Sequence, residues 1–191
     1  MAAAFFMPAF VTSAAAQDAA RGGSLAELRQ CGACHGAQGI SVAPNIPSLA
    51  GQQPDFLTLQ MILFREGLRP VPAMTEAARG LSDGQIEDLS AYFASFPSAP
   101  KPDRGPRNAG LAARGAELSA ARNCNACHLP DYRGRANVPR INHQHEVFLN
   151  NTLIEYRDGQ RVGTDTQMNG LMFGLTNADI AAISHYLTHR D

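Results

Sequence analysis

The chain has 191 residues, 45% of them hydrophobic and 17% charged, with a formal net charge of −1. That length allows one ordinary domain or two small ones, and the apolar fraction is that of a globular protein. The near-neutral balance excludes a strong field that would recruit nucleic acid or a membrane surface, and abundant alanine with few β-branched residues favours helix over strand.

Met1–Ala16 is mostly apolar and ends in Ser13-Ala14-Ala15-Ala16. This matches the apolar core and small-residue cleavage site of a secretory signal peptide, although the positively charged start is missing. A membrane anchor is the competing reading, but the run falls short of the ~20 apolar residues a span requires. The expected layout is a signal peptide over 1–16, a first domain over 17–98, a linker over 99–110 and a second domain over 111–191. Secretion goes with it.

In the first domain a helix over Gly22–Gln30 is expected to lead into Cys31-Gly32-Ala33-Cys34-His35. Pro54 sits where a first helical residue belongs, and Phe56, Leu59, Ile62 and Leu63 form an apolar stripe that Gly67 ends. Ser82-Asp83-Gly84-Gln85 has the pattern of a capping box opening a last helix over Ile86–Ser95. Ser98–Pro106 carries three prolines, a glycine and charges, the composition of a semi-rigid linker. In the second domain Cys124-Asn125-Ala126-Cys127-His128 repeats the cysteine motif, and Thr176-Asn177-Ala178-Asp179 opens the equivalent last helix. No alternating strand pattern occurs, so the fold class is all-α. Charge divides unevenly: residues 17–100 hold five Arg against eight acids, and residues 101–191 hold eleven Lys/Arg against nine. A dipole of that kind can orient a molecule on a partner, or simply reflect solvated faces.

All four cysteines fall in the two pentapeptides. A disulfide framework gives no reason for a histidine directly after each pair. A thioredoxin-like motif calls for a βαβ setting, and the knuckles of a four-cysteine zinc site usually lie ~15–20 residues apart; here 89 residues separate Cys34 from Cys124. C-x-x-C-H as c-type haem attachment remains. Two intervening residues place both thiols on one helical turn, each in reach of one vinyl group of the same porphyrin. The next residue then brings an imidazole under the iron. Cys31, Cys34, Cys124 and Cys127 are therefore the expected thioether residues of two covalently bound haem c groups, with His35 and His128 as proximal iron ligands.

The repeat extends through both domains. Ala20-Arg21-Gly22 and Leu25 match Ala113-Arg114-Gly115 and Leu118. Pro47, Gln52, Phe56, Leu57, Arg65, Gly67 and Arg69 match Pro139, Gln144, Phe148, Leu149, Arg157, Gly159 and Arg161, and Met74, Leu81 and Tyr92 match Met168, Leu175 and Tyr186. The second axial ligand decides between electron transfer and substrate chemistry. Met74 and Met168 occupy corresponding places in a loop-like stretch before the last helix, which selects them over gap-filling core methionines. Met172 is a rival to Met168, but its counterpart is Ala78, so it belongs to the pocket or core. His143, His145, His185 and His189 have no histidine counterparts and read as surface or pocket-edge residues; bis-histidine ligation through His143 or His145 is the alternative. Arg65 and Arg157 are candidates for haem propionates, or for plain helix-end salt bridges. Gly22 and Gly115 are expected to let the first and last helices cross closely, near Tyr92 and Tyr186, or to be simple helix-start glycines.

The order C-x-x-C-H, proline loop, helix ending Arg-x-Gly-x-Arg, methionine and Leu-Ser/Thr-x-x-x-Ile helix with a tyrosine resembles class I cytochromes c. Duplication across residues 18–190 is similar to the diheme c-four type. Pro47-Ser48-Leu49-Ala50-Gly51-Gln52 and Phe64-Arg65-x-Gly67-x-Arg69 lie close to that pattern, whereas Arg140-Ile141-Asn142-His143-Gln144 departs from it. The resemblance implies two pseudo-symmetric class I cytochrome c domains, His/Met haems, and electron transfer in the periplasm rather than catalysis. It implies redox partners such as a terminal oxidase, a dehydrogenase or a reductase complex. Alternatives are a haem-bearing subunit of a dehydrogenase, for example a sulfide-oxidising flavocytochrome, and a diheme peroxidase or thiosulfate-oxidising enzyme.

Overall fold

A computed structural model describes residues 17–100, 105–161 and 166–190. The expected signal segment 1–16 and linker residues 101–104 lie outside the described residues. Among those described, the regular structure is helical, with one isolated bridge between Arg135 and Val138. In chain order the first half holds α1 (Ala19–Leu28), α2 (Gly32–His35), α3 (Pro54–Arg65), α4 (Pro72–Ala78) and α5 (Asp83–Ala94). The second half repeats the series as α6 (Ala109–Ala121), α7 (Cys124–His128), α8 (Glu146–Arg157), α9 (Thr166–Met172) and α10 (Asn177–His189).

Local chemistry sets the helix starts. The Asp18 carboxylate accepts from the Ala20 and Arg21 N–H groups at 2.8 and 3.1 Å, capping α1. Pro54 occupies the first turn of α3, where its missing N–H costs nothing. Ser82 and Gln85 form a reciprocal capping box at α5, as do Thr176 and Asp179 at α10.

In each half the first and last helices form the main packing pair, α1 on α5 and α6 on α10. A Cβ built on Gly22 would lie 2.0 Å from the Asp88 carbonyl oxygen, and one on Gly115 would lie 2.1 Å from that of Ala182. Tyr92 and Tyr186 flank the same crossings, so both glycines are contact points where no side chain fits. The cores agree with this duplication. One is built on Leu57, Leu81, Ile86, Leu89 and Phe93; the other on Leu149, Leu153, Leu175, Ile180, Ile183 and Leu187.

Two elements differ from the sequence expectation. Met74 and Met168 sit in the short helices α4 and α9, not in loops; Pro72 nucleates the first of these at its initial turn. On α3 the buried positions are Leu57, Gln60, Leu63 and Phe64 instead of the stripe beginning at Phe56. The helix packs against α5 and also faces a cavity, which Phe56, Leu57, Gln60, Met61 and Phe64 line, while Leu63 is buried away from it.

The halves meet through exchanged side chains. Gln52 Nε2 donates to the Arg140 carbonyl at 2.9 Å, and its Oε1 accepts from the Arg140 N–H at 2.7 Å. Gln144 does the same to Ser48, at 3.0 and 2.9 Å. Gln52 corresponds to Gln144 and Ser48 to Arg140 in the repeat, so the four bonds obey a pseudo-two-fold axis. Each half thus reads the backbone of the other with a buried amide.

Candidate functional site

A continuous cavity of about 610 Å³ runs between the halves and takes its lining from both. Cys31, Cys34, His35 and Met74 border it from one half, and Cys124, Cys127, His128 and Met168 from the other. The structure therefore gathers every sequence-selected site residue around one space. Among its apolar walls are Phe56, Met61, Phe64, Phe148, Leu153 and Leu171.

Each C-x-x-C-H segment is itself a helical turn, α2 or α7, which sets both thiols and the imidazole on the cavity side. None of the four cysteines is paired in a disulfide; Cys31 and Cys124 are half-buried, Cys34 and Cys127 exposed. Burial pushes the Cys31 and Cys124 thiols up, which keeps them protonated and not ready metal ligands as thiolates. His35 and His128 are buried, and their Nδ1 atoms lie 2.9 and 2.8 Å from the carbonyl oxygens of Pro47 and Pro139. A carbonyl only accepts, so Nδ1 carries the proton and donates. That fixes the tautomer and leaves the Nε2 lone pair for a metal. Burial also pushes the His35 pKa down, favouring the neutral, ligating form.

Met172 is 1% exposed, packs in the second core and borders the cavity, so it has both roles expected of it. The other histidines are less peripheral than their sequence context implies. His145 is buried at the junction, with Nε2 2.9 Å from the Ser41 carbonyl oxygen. His185 is buried between the Glu146 carboxylate, at 3.0 Å, and the Asn108 N–H, at 2.9 Å. The apolar-only criterion of helical periodicity hides such residues, because a hydrogen-bonded imidazole packs as readily as a hydrophobe.

The arginines divide differently from the propionate reading. Arg65 binds Glu66, Asp83 and the Leu81 carbonyl, and Arg157 binds Asp158, Asn177 and the Leu175 carbonyl. Both are helix-end anchors. Arg69 and Arg161 line the cavity instead, sharing Gln60 Oε1 at 2.7 and 3.1 Å. Arg69 Nε and Arg161 Nη1 are buried with no hydrogen-bond partner among the described residues. Burial, reinforced by the neighbouring Arg161 charge, pushes Arg69 down to about 9. Two adjacent buried cations with unfilled donors call for anionic groups in the cavity. Arg69 and Arg161 recur at matching places in the repeat, but so do Arg65 and Arg157, so recurrence alone did not mark them.

A fully helical chain with two C-x-x-C-H turns, two oriented imidazoles, an apolar cavity and unpaired buried guanidinium donors defines a protein built to hold porphyrins covalently. The residues present fit one haem in each half. The chain belongs to the cytochrome c family, whose model matches residues 19–97 and again 112–191. It is 39% identical over 184 residues to cytochrome c4 of Pseudomonas aeruginosa, covering 91% of this chain and 89% of that protein. It is 30% identical over 172 residues to a thiosulfate dehydrogenase electron acceptor of Thiomonas intermedia, covering 84% of this chain and 78% of that one. The crystal structure of reduced recombinant cytochrome c4 from Pseudomonas stutzeri superimposes with a TM-score of 0.79 at 34% identity, covering 91% of this chain and 98% of that one. With two such domains, the chain carries two covalently bound haem c groups and is a diheme electron-transfer protein.

Proposed function

We propose that the chain is a periplasmic electron carrier with two His/Met haems, delivering electrons to a terminal oxidase or similar acceptor. Cys31 and Cys34 form the thioethers of the first haem, with His35 and Met74 on its iron. Cys124, Cys127, His128 and Met168 serve the second. The observation that carries this reading is the single cavity bordered by both C-x-x-C-H turns and by both repeat-matched methionines. Each bound haem supplies a one-electron iron couple, which a methionine sulfur raises in potential. The protein's own residues orient the imidazoles, hold the anionic edges and exclude water. A haem held by a histidine and a methionine side chain would leave no open site for substrate, and encounters with redox partners are expected to be small and transient. Residues 1–16 serve as the export signal in this reading. Among the described residues no helix is long and apolar enough to cross a membrane.

Similarity to the Thiomonas intermedia electron acceptor favours a second reading of the donor side, in which a sulfur-compound dehydrogenase reduces this chain. Copurification with such a catalytic chain, and rapid haem reduction on mixing with it, separates that role from free carriage between other complexes.

Ligation is tested by Met168→Ala. Two methionine-ligated haems require that the sulfur-to-iron absorption band of the oxidised protein fall to about half its wild-type strength. A band at full strength would refute Met168 as a ligand.

A further inference from the structure

Helix α10 places His185 and His189 one turn apart, and the first turn of α8 brings Glu146 against them. Glu146 Oε2 lies 3.0 Å from His185 Nδ1 and 3.8 Å from His189 Nε2. The two imidazole rings stand 4.2 Å apart between centroids, inclined by 34°. The three ligand atoms all fall within 4.8 Å of one another. Both imidazoles are almost wholly buried, with side chains 7% and 6% exposed, whereas the carboxylate keeps 37% of its surface at solvent. None of the three borders the haem cavity, so the cluster is separate from the haem-binding site.

The repeat supplies an internal control. Glu146, His185 and His189 correspond to Pro54, Ala91 and Ser95, so the first half, built on the same helices, does without all three side chains. The fold therefore does not require them at this place, yet three ligating groups coincide there in the second half. Two imidazoles and a carboxylate are a donor set that suits zinc and its neighbours among the divalent transition cations. Bond lengths of about 2.0–2.2 Å around a tetrahedral ion set its ligands about 3.3–3.6 Å apart. The observed 3.0 and 3.8 Å bracket that spacing, so small side-chain shifts suffice. One hydrogen bond is given up in exchange. Asn108 N–H donates to His185 Nε2 at 2.9 Å, so the ring proton sits on Nδ1 and is donated to Glu146. A cation at Nδ1 moves that proton to Nε2, and Asn108, exposed ahead of α6, turns its N–H to water.

We propose that Glu146, His185 and His189 bind one divalent transition-metal cation of the zinc class, through a Glu146 carboxylate oxygen, His185 Nδ1 and His189 Nε2. Water reaches the ion from the exposed side of Glu146 and completes the tetrahedron. Zinc has no redox couple of its own, so the ion takes no part in carrying electrons. It clips α8 to α10 in the second half alone and stabilises the folded state by mass action.

The test is equilibrium dialysis of the chelator-treated, haem-loaded protein against zinc chloride, with bound zinc counted by atomic emission. One saturable zinc per chain is expected, not displaced by excess magnesium and with haem absorbance unchanged. Glu146→Gln and His189→Ser should each weaken binding by at least about tenfold, the scale on which even outer-shell partners of a metal act. His143→Gln, outside the cluster, should bind zinc as the wild type does. Far-ultraviolet dichroism certifies the fold of each variant. Absence of saturable zinc in the wild type overturns the proposal, and that measurement needs no variant. Wild-type affinity retained in a folded Glu146→Gln or His189→Ser overturns it as well. So does loss of binding in His143→Gln, since the ion would then sit at another histidine.

Discussion

Replacing Gln52 or Gln144 by alanine strips the seam of a reciprocal contact. Each amide satisfies one buried backbone N–H and one C=O of the opposite half, at 2.7 and 2.9 Å for Gln52 and at 2.9 and 3.0 Å for Gln144. Truncation orphans both groups, and a buried unsatisfied polar group costs about 1–3 kcal/mol. Each single variant should therefore lose about 2–5 kcal/mol, lessened where water reaches the gap. The two sites serve one seam, so the double variant should lose clearly less than the sum of the singles. Denaturant unfolding of the haem-loaded protein, followed by haem absorbance and by far-ultraviolet dichroism, measures this. The wild type should unfold with coincident probes, and the variants should separate into two transitions as the halves uncouple. Single variants within about 0.5 kcal/mol of wild type, or losses that add fully, would show that these bonds do not couple the halves.

The helix crossings give a paired comparison. Gly115→Ala forces a Cβ to 2.1 Å from the Ala182 carbonyl oxygen and should cost about 3 kcal/mol, whereas Gly84→Ala meets nothing within 4 Å. The latter should stabilise α5 by up to about 1 kcal/mol; thermal midpoints moving in the same direction for both would contradict the packing account. Asp88 titration provides a pH test. Arg21 holds the Asp88 carboxyl below its ordinary value of 3.8 through a two-bond contact at 2.8 and 2.9 Å. A depressed folded pKa adds stability above the unfolded value and loses it as pH falls through the folded value. Asp88→Asn should thus be less stable than wild type at pH 7, with the gap closing below about pH 4; a gap independent of pH would exclude the ion pair as its source. Ser82→Ala removes the Gln85 N–H acceptor at the start of α5 and should cost about 1 kcal/mol, measured by the same unfolding assay.

Short-range chemistry made much of this protein legible from the residue order. The C-x-x-C-H turns need no distant partner to declare their purpose. Ser82, Thr176 and Pro54 mark helix starts through bonds within one turn. Internal duplication extended that reach: it singled out Met74 and Met168, and it marked Gly22 and Gly115 as crossing points by pairing them with Tyr92 and Tyr186. Arg65 and Arg157 carried no such discrimination from Arg69 and Arg161, since all four recur in the repeat. Only the fold shows that the first pair closes helix ends while the second pair is buried at the cavity. Gln52 and Gln144 likewise recur without stating a role, because their partners lie in the other half, at contacts 88 and 96 residues away. His145 and His185 look peripheral by pattern and are buried by packing. Periodicity and capping report bonds between neighbours in sequence, whereas the seam depends on how two separately formed halves dock. The duplication and the haem motifs were therefore set by the sequence alone, and the reciprocal seam and the burial of Arg69 and Arg161 at the cavity were decided by tertiary structure, where the desolvation of a polar group depends on everything packed around it.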